Sequence, residues 1–293
     1  MIKYLFILNP HAGAGKKKED LVDQIDASMS PSGYPYEFAY TVGIGDATRI
    51  ARQSVNEGFN IIVAVGGDGT VNEVASGLIH SNGQLGIIPR GSGNGVARSL
   101  NLPANTEGCL QFLLSPKTTT IDVGMINNKY FIGVSGLGFD ALVGQKFQNF
   151  GVRGPIPYFF IGLNEFLKYK PQTYRLDIEG DQFEVEALVI ALANTKQYGN
   201  GAIIAPEADP KDGYLDVCIL KPLTFFQATQ HVSLLFRGDI GRSPLYFHRK
   251  CKSVKISTDG SSLILHRDGE PDQSIQSLDV KIVEKALKVC TPL

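Results

Sequence analysis

The stretch that decides the fold is IIVAVGGDGT, residues 61–70. Its apolar run suits a strand buried on both faces, and three glycines in four positions exceed what a tight turn needs. Thr70 and Glu73 match a capping box, with Thr70 at the N-cap, which predicts a helix to about Ile79. A strand, a glycine loop and a helix N-terminus in this order are typical of a phosphate site, because backbone N–H groups converge there.

Asp68 lies in the middle of this loop, where a negative charge opposes a bound phosphate. An ionised carboxylate could bind the Mg²⁺ that accompanies nucleotide phosphates, or it could orient or deprotonate an attacking hydroxyl. The alternative is an Asx turn, in which the glycines only reverse the chain. Both chemical roles place the carboxylate at the γ-phosphate, so we expect this loop to take part in phosphate transfer.

The same pattern recurs on both sides of this stretch. Strand-like runs at 5–8, 37–40 and 85–88 are each followed by a glycine-containing loop and then a helical segment. Alternation of this kind predicts a parallel sheet with helices on both faces, and its loops gather at the edge where such sheets bind ligands. We therefore expect an α/β fold, with a doubly wound, parallel-sheet nucleotide-binding domain over 1–125. Residues 280–293 are a candidate return to it.

The pattern changes after residue 125. Short strand-like runs separated by turns predict a larger, mostly antiparallel β domain over residues 126–279. Two segments within it, 158–169 and 225–236, have helical spacing.

Composition excludes several classes of protein. The 293-residue chain has a formal net charge of −1, so no overall field favours nucleic acid, and no nucleic-acid partner is expected. The four cysteines form no CxxC pair and read as buried free thiols of a reducing compartment. Neither a signal peptide nor an apolar run of about 20 residues is evident, which predicts a cytoplasmic location.

Three motifs occur in a fixed order: NPHAG at 9–13, GGDGTVNEV at 66–74 and PRGSGNGVAR at 89–98. Later segments extend the series, namely TTTIDVG at 118–124, APEADPKDGYLDV at 205–217 and DGE at 268–270. Over nearly the whole chain this set resembles the diacylglycerol kinase and sphingosine kinase catalytic family of lipid kinases. A lone GGDG would be ambiguous, because phosphofructokinases and NAD kinases carry similar loops.

The resemblance implies an ATP- and Mg²⁺-dependent transfer of the γ-phosphate to the hydroxyl of a lipid alcohol, diacylglycerol first, bound by the β-rich domain. Glu270 would accept the proton, with Asp68 and Asp122 in support. A structural Mg²⁺ would be held by Asp209, Asp212 and the carbonyl of Tyr214. The implied ATP contacts are Asn9, Pro10, His11, Ala12, Gly13, Thr41, Gly66, Gly67, Asp68, Gly69, Thr70, Val71, Asn72 and Ser92.

The residues alone leave alternatives open at three of these places. Asp122 reads equally well as a solvated residue at the domain junction, residues 268–270 as a hairpin turn, and residues 209–216 as an acidic turn. The third loop also departs from many family members, since Gly95 replaces an aspartate. The lipid is therefore open. A sphingoid-base or phosphatidylglycerol kinase, an NAD kinase-like enzyme and a catalytically silent nucleotide- or lipid-binding regulator remain alternatives.

The expected partners are the lipid substrate and, transiently, a membrane surface. The aromatic run at 155–161 could contact the membrane or pack in the core. A homodimer is left open.

Overall fold

The computed structural model describes residues 2–10, 12, 18–149, 165–260 and 262–292. The chain forms two compact units: an N-terminal unit of Met1–Ile121 with Lys285–Leu293, and a C-terminal unit of Asp122–Glu284. Within the described ranges, no helix is both long and apolar enough to cross a membrane. The aromatic run at 155–161 and most of the predicted helix at 158–169 lie outside them.

The N-terminal unit alternates strands and helices as the glycine loops predict. Its elements are β1 (Tyr4–Leu8), α1 (Lys18–Met29), β2 (Tyr36–Tyr40), α2 (Asp46–Asn56), β3 (Ile61–Gly66), α3 (Asp68–Leu78), β4 (Gln84–Pro89), α4 (Gly95–Ser99), α5 (Thr106–Leu113), the first part of β5 (Lys117–Ile126) and the last part of β18 (Ser277–Thr291).

Five strands of this unit form a parallel sheet in the order β2-β1-β3-β4-β18. On one face, α1 and α5 pack with alternate residues of β1 and β3 around Phe6 and Val63. On the other face, Val55 of α2, Leu78 of α3 and Ile62 of β3 converge at Gly83. Helices therefore cover both faces, and the prediction of a doubly wound sheet is confirmed.

The order of the strands also positions the loops. From β1 the chain passes to β2 on one side, whereas from β3 it passes to β4 on the other. The loops that follow β1 and β3 therefore diverge at the point where the strand order reverses. This is the place where open α/β sheets bind ligands.

The C-terminal unit is mostly β structure, as the sequence predicts. Its further elements are β6 (Lys129–Phe131), β7 (Val134–Gly138), α6 (Phe139–Asn149), β8 (Gln172–Ile178), β9 (Asp181–Ala187), β10 (Val189–Ala193), β11 (Gln197–Gly199), β12 (Ala202–Ile203), β13 (Leu215–Leu220), α7 (Phe225–Arg237), β14 (Tyr246–Cys251), β15 (Ser253–Ser257), β16 (Leu263–Arg267) and β17 (Glu270–Ile275).

Two antiparallel layers form this unit. One is the six-stranded sheet β14-β13-β10-β7-β16-β17, and the other contains the first part of β18 with β15, β8 and β9. Ile190 and Val217 of the first layer share a buried core with Leu176 and Ile256 of the second. Alternate residues of several strands point into this core, which is the packing of a β-sandwich.

Candidate functional site

Helix α3 begins three residues earlier than the capping box predicts. Its first residue is Asp68 and its N-cap is Gly67, which has an extended backbone and offers no side-chain cap. The Glu73 carboxylate instead accepts hydrogen bonds from the backbone N–H groups of Gly45 at 2.8 Å and Ala47 at 3.1 Å. The capping-box prediction is therefore wrong, because Glu73 supports the start of α2 rather than that of its own helix.

Thr70 likewise links two loops. Its Oγ1 accepts a hydrogen bond from Nδ2 of Asn9 at 3.2 Å, and the N–H of Asn9 donates to the carbonyl of Val65. The loop after β1 is thereby tied to the end of β3 and to the first turn of α3.

Asp68 ties the GGDG loop to the third glycine loop. Its carboxylate oxygens accept the backbone N–H groups of Asn94 and Gly95, each at 2.8 Å. Asn94 has a left-handed backbone with φ of 51°, and its side-chain amide bonds both the N–H and the carbonyl of Gly91 at 2.9 Å. The charge of Asp68 is thus directed at backbone donors of the neighbouring loop.

Glycine is required where these two loops meet. A Cβ on Gly91 would lie 2.7 Å from Cα of Gly67, and a Cβ on Gly66 would lie 2.4 Å from Oγ1 of Thr70. Real Cβ contacts are not that short, so Gly91 must lack a side chain for the two backbones to approach, and Gly66 must lack one to make room for the Thr70 side chain. This contact accounts for more glycines than a single turn would need.

These loops create the features of an anion site at the start of α3. The first N–H groups of an α-helix have no acceptor within the helix, and the macrodipole places partial positive charge on them. No N-cap side chain covers this end. Phosphate oxygens can approach the backbone closely where glycines line the loops.

The remaining predicted ATP contacts differ in their surroundings. Thr41 is buried beside the end of β1, with its N–H on the Leu8 carbonyl at 3.0 Å. Val71 is buried and donates its N–H to Gly67, which makes it a core residue of α3. Pro10 and Ser92 are exposed; Ala12, Gly69 and Asn72 are partly buried; His11 and Gly13 lie outside the described residues.

Asp122 is in the C-terminal unit, at the middle of β5. Its side chain is buried, and Oδ2 accepts the N–H of Gly213 at 2.8 Å. Its backbone N–H donates to Pro210 at 2.7 Å, and its carbonyl accepts Nδ2 of Asn194 at 2.8 Å. The alternative of a solvated junction residue is therefore wrong. Asp122 holds the segment from Pro210 to Gly213 in place.

The segment that contains the predicted metal ligands is a turn whose carboxylates already have partners. Oδ1 of Asp209 accepts the N–H of Lys211, and Oδ1 of Asp212 accepts that of Tyr214. The other oxygen of Asp212 pairs with the ammonium of Lys250. Among the described residues no group of three or more His, Cys, Asp or Glu side chains could hold a metal. In the turn as folded, Lys250 already neutralises Asp212, one of the predicted ligands.

Residues 268–270 form a hairpin turn between β16 and β17, as their alternative interpretation holds. Asp268 and Gly269 both have positive φ, of 47° and 85°, which is typical of a two-residue type I′ turn. The Asp268 carboxylate accepts three backbone N–H groups at 2.7–3.1 Å, from Ile132, Gly133 and Val134. Glu270 is the first residue of β17 and is exposed. A hairpin and a functional carboxylate are therefore compatible at this place.

Three residues that position these groups are absent from the predicted site. Asn94 was visible as the asparagine of the GSGN run, and a left-handed backbone favours asparagine. Asp268 was visible only as part of the DGE motif. Asn194, which donates Nδ2 to the carbonyls of Asp122 and Ile132, has no local signal, because both partners are more than 60 residues away in the chain.

Comparisons with known proteins agree with this architecture. The family model of the diacylglycerol kinase catalytic domain matches residues 3–126, and the model of the YegS C-terminal NAD kinase beta sandwich-like domain matches residues 133–291. A diacylglycerol kinase of Staphylococcus aureus (strain MRSA252) is 30% identical over 268 residues, covering 90% of this chain and 84% of that protein. A second, from strain bovine RF122 / ET3-1, matches with the same identity and coverage.

Solved structures show the same fold. The crystal structure of a diacylglycerol kinase from Bacillus anthracis str. Sterne has a TM-score of 0.76 at 22% identity, covering 99% of this chain and 96% of the other. Another chain from the same organism reaches a TM-score of 0.81 at 24% identity with the same coverage. The Staphylococcus aureus relative at 30% identity over 90% of this chain, with the two family models, shows that the chain belongs to the diacylglycerol kinase catalytic family and is a lipid kinase.

Proposed function

We propose that this lipid kinase transfers the γ-phosphate of Mg²⁺–ATP to the hydroxyl of diacylglycerol. The observation that carries the nucleotide part is the pair of glycine loops that Asp68 joins at the N-terminus of α3. The relatives named diacylglycerol kinase support the choice of lipid.

In this proposal, each part of the site has its own role in the transfer. Backbone N–H groups at the start of α3 and in the third loop bind the phosphates, and Asp68 keeps the two loops together. The exposed carboxylate of Glu270 accepts the proton of the lipid hydroxyl as the phosphate is transferred. Buried Asp122 acts indirectly, by holding the segment that ends at Gly213.

Gly95 does not weaken this proposal. Gly95 contributes its backbone N–H, which donates to the Asp68 carboxylate, so the contact does not involve a side chain at position 95. The aspartate that many family members carry there is therefore not needed to join the loops.

A panel of acceptors tests the function. The purified protein would be given γ-labelled ATP with Mg²⁺ and, separately, diacylglycerol vesicles, phosphatidylglycerol vesicles, a sphingoid base and NAD. We expect label in phosphorylated diacylglycerol, with the other acceptors at least tenfold poorer in kcat/KM. Preferred labelling of another acceptor would identify that acceptor as the substrate in place of diacylglycerol. ATP binding without transfer to any of them, or to a total lipid extract, would support the silent regulator.

The structural Mg²⁺ at Asp209, Asp212 and Tyr214 stays a prediction from the resemblance. The ion pair between Asp212 and Lys250 is the observation against it, since a cation there would have to displace the ammonium.

We further propose that this kinase contacts a membrane through the outward face of α7. Phe225, Phe226 and Phe236 are 49%, 70% and 57% exposed, which is unusual for aromatic side chains on a helix. The helix contains no acidic residue and ends in Arg237, so its charge suits an anionic lipid surface. The lipid substrate is found in a bilayer, so the enzyme must contact a bilayer surface to reach it. A bilayer is therefore a better candidate than a protein partner for covering this face.

The double variant Phe225→Ser/Phe226→Ser tests this surface. A capping box of Thr224 and Gln227 holds the start of α7, so we expect the helix to persist. Co-sedimentation with phosphatidylglycerol vesicles that contain diacylglycerol should fall about tenfold or more, because each phenylalanine buried in lipid contributes about 1.5–3 kcal/mol. Phe247→Ser, at a 38% exposed position of β14, is the matched control. Equal binding of both variants would contradict the assignment.

A further inference from the structure

The turn that precedes Glu270 is held from inside by a histidine. The N–H of Gly269 donates to Nδ1 of His266 at 3.2 Å, so Nδ1 is the acceptor and the ring proton lies on Nε2. Nε2 in turn faces Oδ2 of Asp140 at 3.3 Å. The same Oδ2 accepts the hydroxyl of Tyr198 at 2.7 Å. A continuous chain of hydrogen bonds therefore runs from Tyr198 to the residue next to Glu270.

The pair of His266 and Asp140 is largely buried and closely packed. The side chains of His266 and Asp140 are 6% and 12% exposed. A Cβ on Gly136 would lie 2.0 Å from Oδ2 of Asp140 and 2.7 Å from Nε2 of His266, so a glycine is required beside the pair. The backbone of His266 is fixed as well, since its carbonyl accepts the Ser135 hydroxyl at 2.5 Å.

The arrangement limits what His266 can do. Both ring nitrogens already have partners, and the ring is nearly inaccessible to solvent, so it is poorly placed to accept a proton from a lipid hydroxyl. It contacts the turn at the N–H of Gly269, a residue with a left-handed backbone at the point where the chain reverses. Fixing that N–H fixes the direction in which β17 and its first residue, Glu270, leave the turn.

We propose that His266, oriented by Asp140 and Tyr198, is the positioning residue for the Glu270 carboxylate. The inference rests on the proposed function, in which Glu270 accepts the substrate proton. A displacement of about 1 Å in a reacting group can lower a rate about 100-fold, so loss of the acceptor at Nδ1 should reduce turnover without weakening ATP binding.

Two substitutions of His266 test the roles of its two ring nitrogens separately. In His266→Asn the amide oxygen takes the place of Nδ1 and keeps the acceptor for Gly269, whereas the contact with Asp140 is lost. In His266→Gln the terminal amide takes the place of Nε2 and keeps the donor to Asp140, whereas the acceptor for Gly269 is lost. Both side chains are polar and smaller than imidazole, so each serves as the packing control for the other.

We expect kcat of His266→Asn within about threefold of the wild type and kcat of His266→Gln at least tenfold lower, with KM for ATP unchanged in both. Hydrogen exchange of the Gly269 amide provides a readout that does not depend on activity. It should stay slow in His266→Asn and become fast in His266→Gln. Equal kcat and equal exchange in the two variants would overturn the proposal.

Glu270→Gln separates this inference from the proposed function. If that variant loses turnover while the two His266 variants behave alike, the positioning role is wrong and the role of Glu270 stands. If Glu270→Gln keeps near-normal turnover, Glu270 is not the proton acceptor, and the positioning role falls with it.

Discussion

Substitution of Asp68 by asparagine tests whether this residue joins loops or takes part in the chemistry. In the wild type the carboxylate accepts two backbone N–H groups at 2.8 Å, from Asn94 and Gly95. Asparagine has the same shape but only one acceptor oxygen. Its NH₂ group would face one of the two N–H donors, and a pair of donors cannot form a hydrogen bond.

The magnitude follows from those two bonds. A hydrogen bond to a charged group contributes about 1.5–3 kcal/mol, and a neutral one about 0.5–1.5 kcal/mol. Losing one bond and weakening the other therefore costs about 3 kcal/mol. If this appears wholly in ATP affinity, Kd rises about 100-fold, since 1.4 kcal/mol is tenfold. If it appears wholly in global unfolding, Tm falls by about 6–12 °C.

Calorimetric titration with ATP and thermal unfolding would be measured on Asp68→Asn beside the wild type. The control is Asp177→Asn, because Asp177 also accepts two N–H donors, at 2.8 and 2.9 Å, but lies on β8 in the C-terminal unit. We expect weaker ATP binding for Asp68→Asn only, whereas a lower Tm is expected for both variants, because each loses comparable hydrogen bonds. Unchanged ATP affinity and Tm, together with a loss of kcat of about 10³-fold, would refute the joining role and favour direct action of Asp68 on the reacting groups.

Three further predictions concern other parts of the chain. Glu270→Gln should lower kcat by about 10²–10⁴-fold with ATP affinity unchanged, and near-normal kcat would contradict its role as base. Without ATP, the Tm of the wild type should be the same in Mg²⁺ and in a chelator. The Tm of Lys250→Met should instead rise in Mg²⁺, because this variant leaves the Asp212 carboxylate without its ammonium partner. A Mg²⁺-dependent rise in the Tm of the wild type would support the predicted metal ligands. Burial raises the pKa of the thiols of Cys109, Cys251 and Cys290 to about 12, so only a small fraction of each is thiolate at pH 8. Because the thiolate is the reactive form, a disulfide reagent should modify these cysteines far more slowly in the native protein than in the unfolded protein. Fast labelling of the native protein would contradict their burial.

The parallel sheet was predictable because its strands are continuous apolar runs bounded by glycine loops. Ile61–Gly66 and Tyr4–Leu8 are buried at every position. A continuous apolar run of this length indicates a buried strand from the sequence alone. The antiparallel unit was predictable in kind, but not strand by strand. The apolar run from Phe131 to Val134 contains the end of β6 and the start of β7, and the strand-like run from Phe183 to Ala193 divides into β9 and β10.

The contacts of the site were less predictable, because they join residues that are far apart in the chain. Thr70 and Glu73 have the spacing of a capping box, yet their side chains bind Asn9 and the start of α2. A local motif predicts a local bond, and here tertiary partners compete for the same atoms. His266 likewise carries no motif, since its partners Asp140 and Tyr198 precede it by 126 and 68 residues.

The most direct test of the nucleotide site is a crystal structure with Mg²⁺ and a non-hydrolysable ATP analogue. We predict that β- and γ-phosphate oxygens accept backbone N–H groups at the first turn of α3, beside the contact between Gly67 and Gly91, while the Asp68 carboxylate keeps its bonds to Asn94 and Gly95. Phosphates bound away from this helix end, or an Asp68 carboxylate that leaves the third loop, would contradict it.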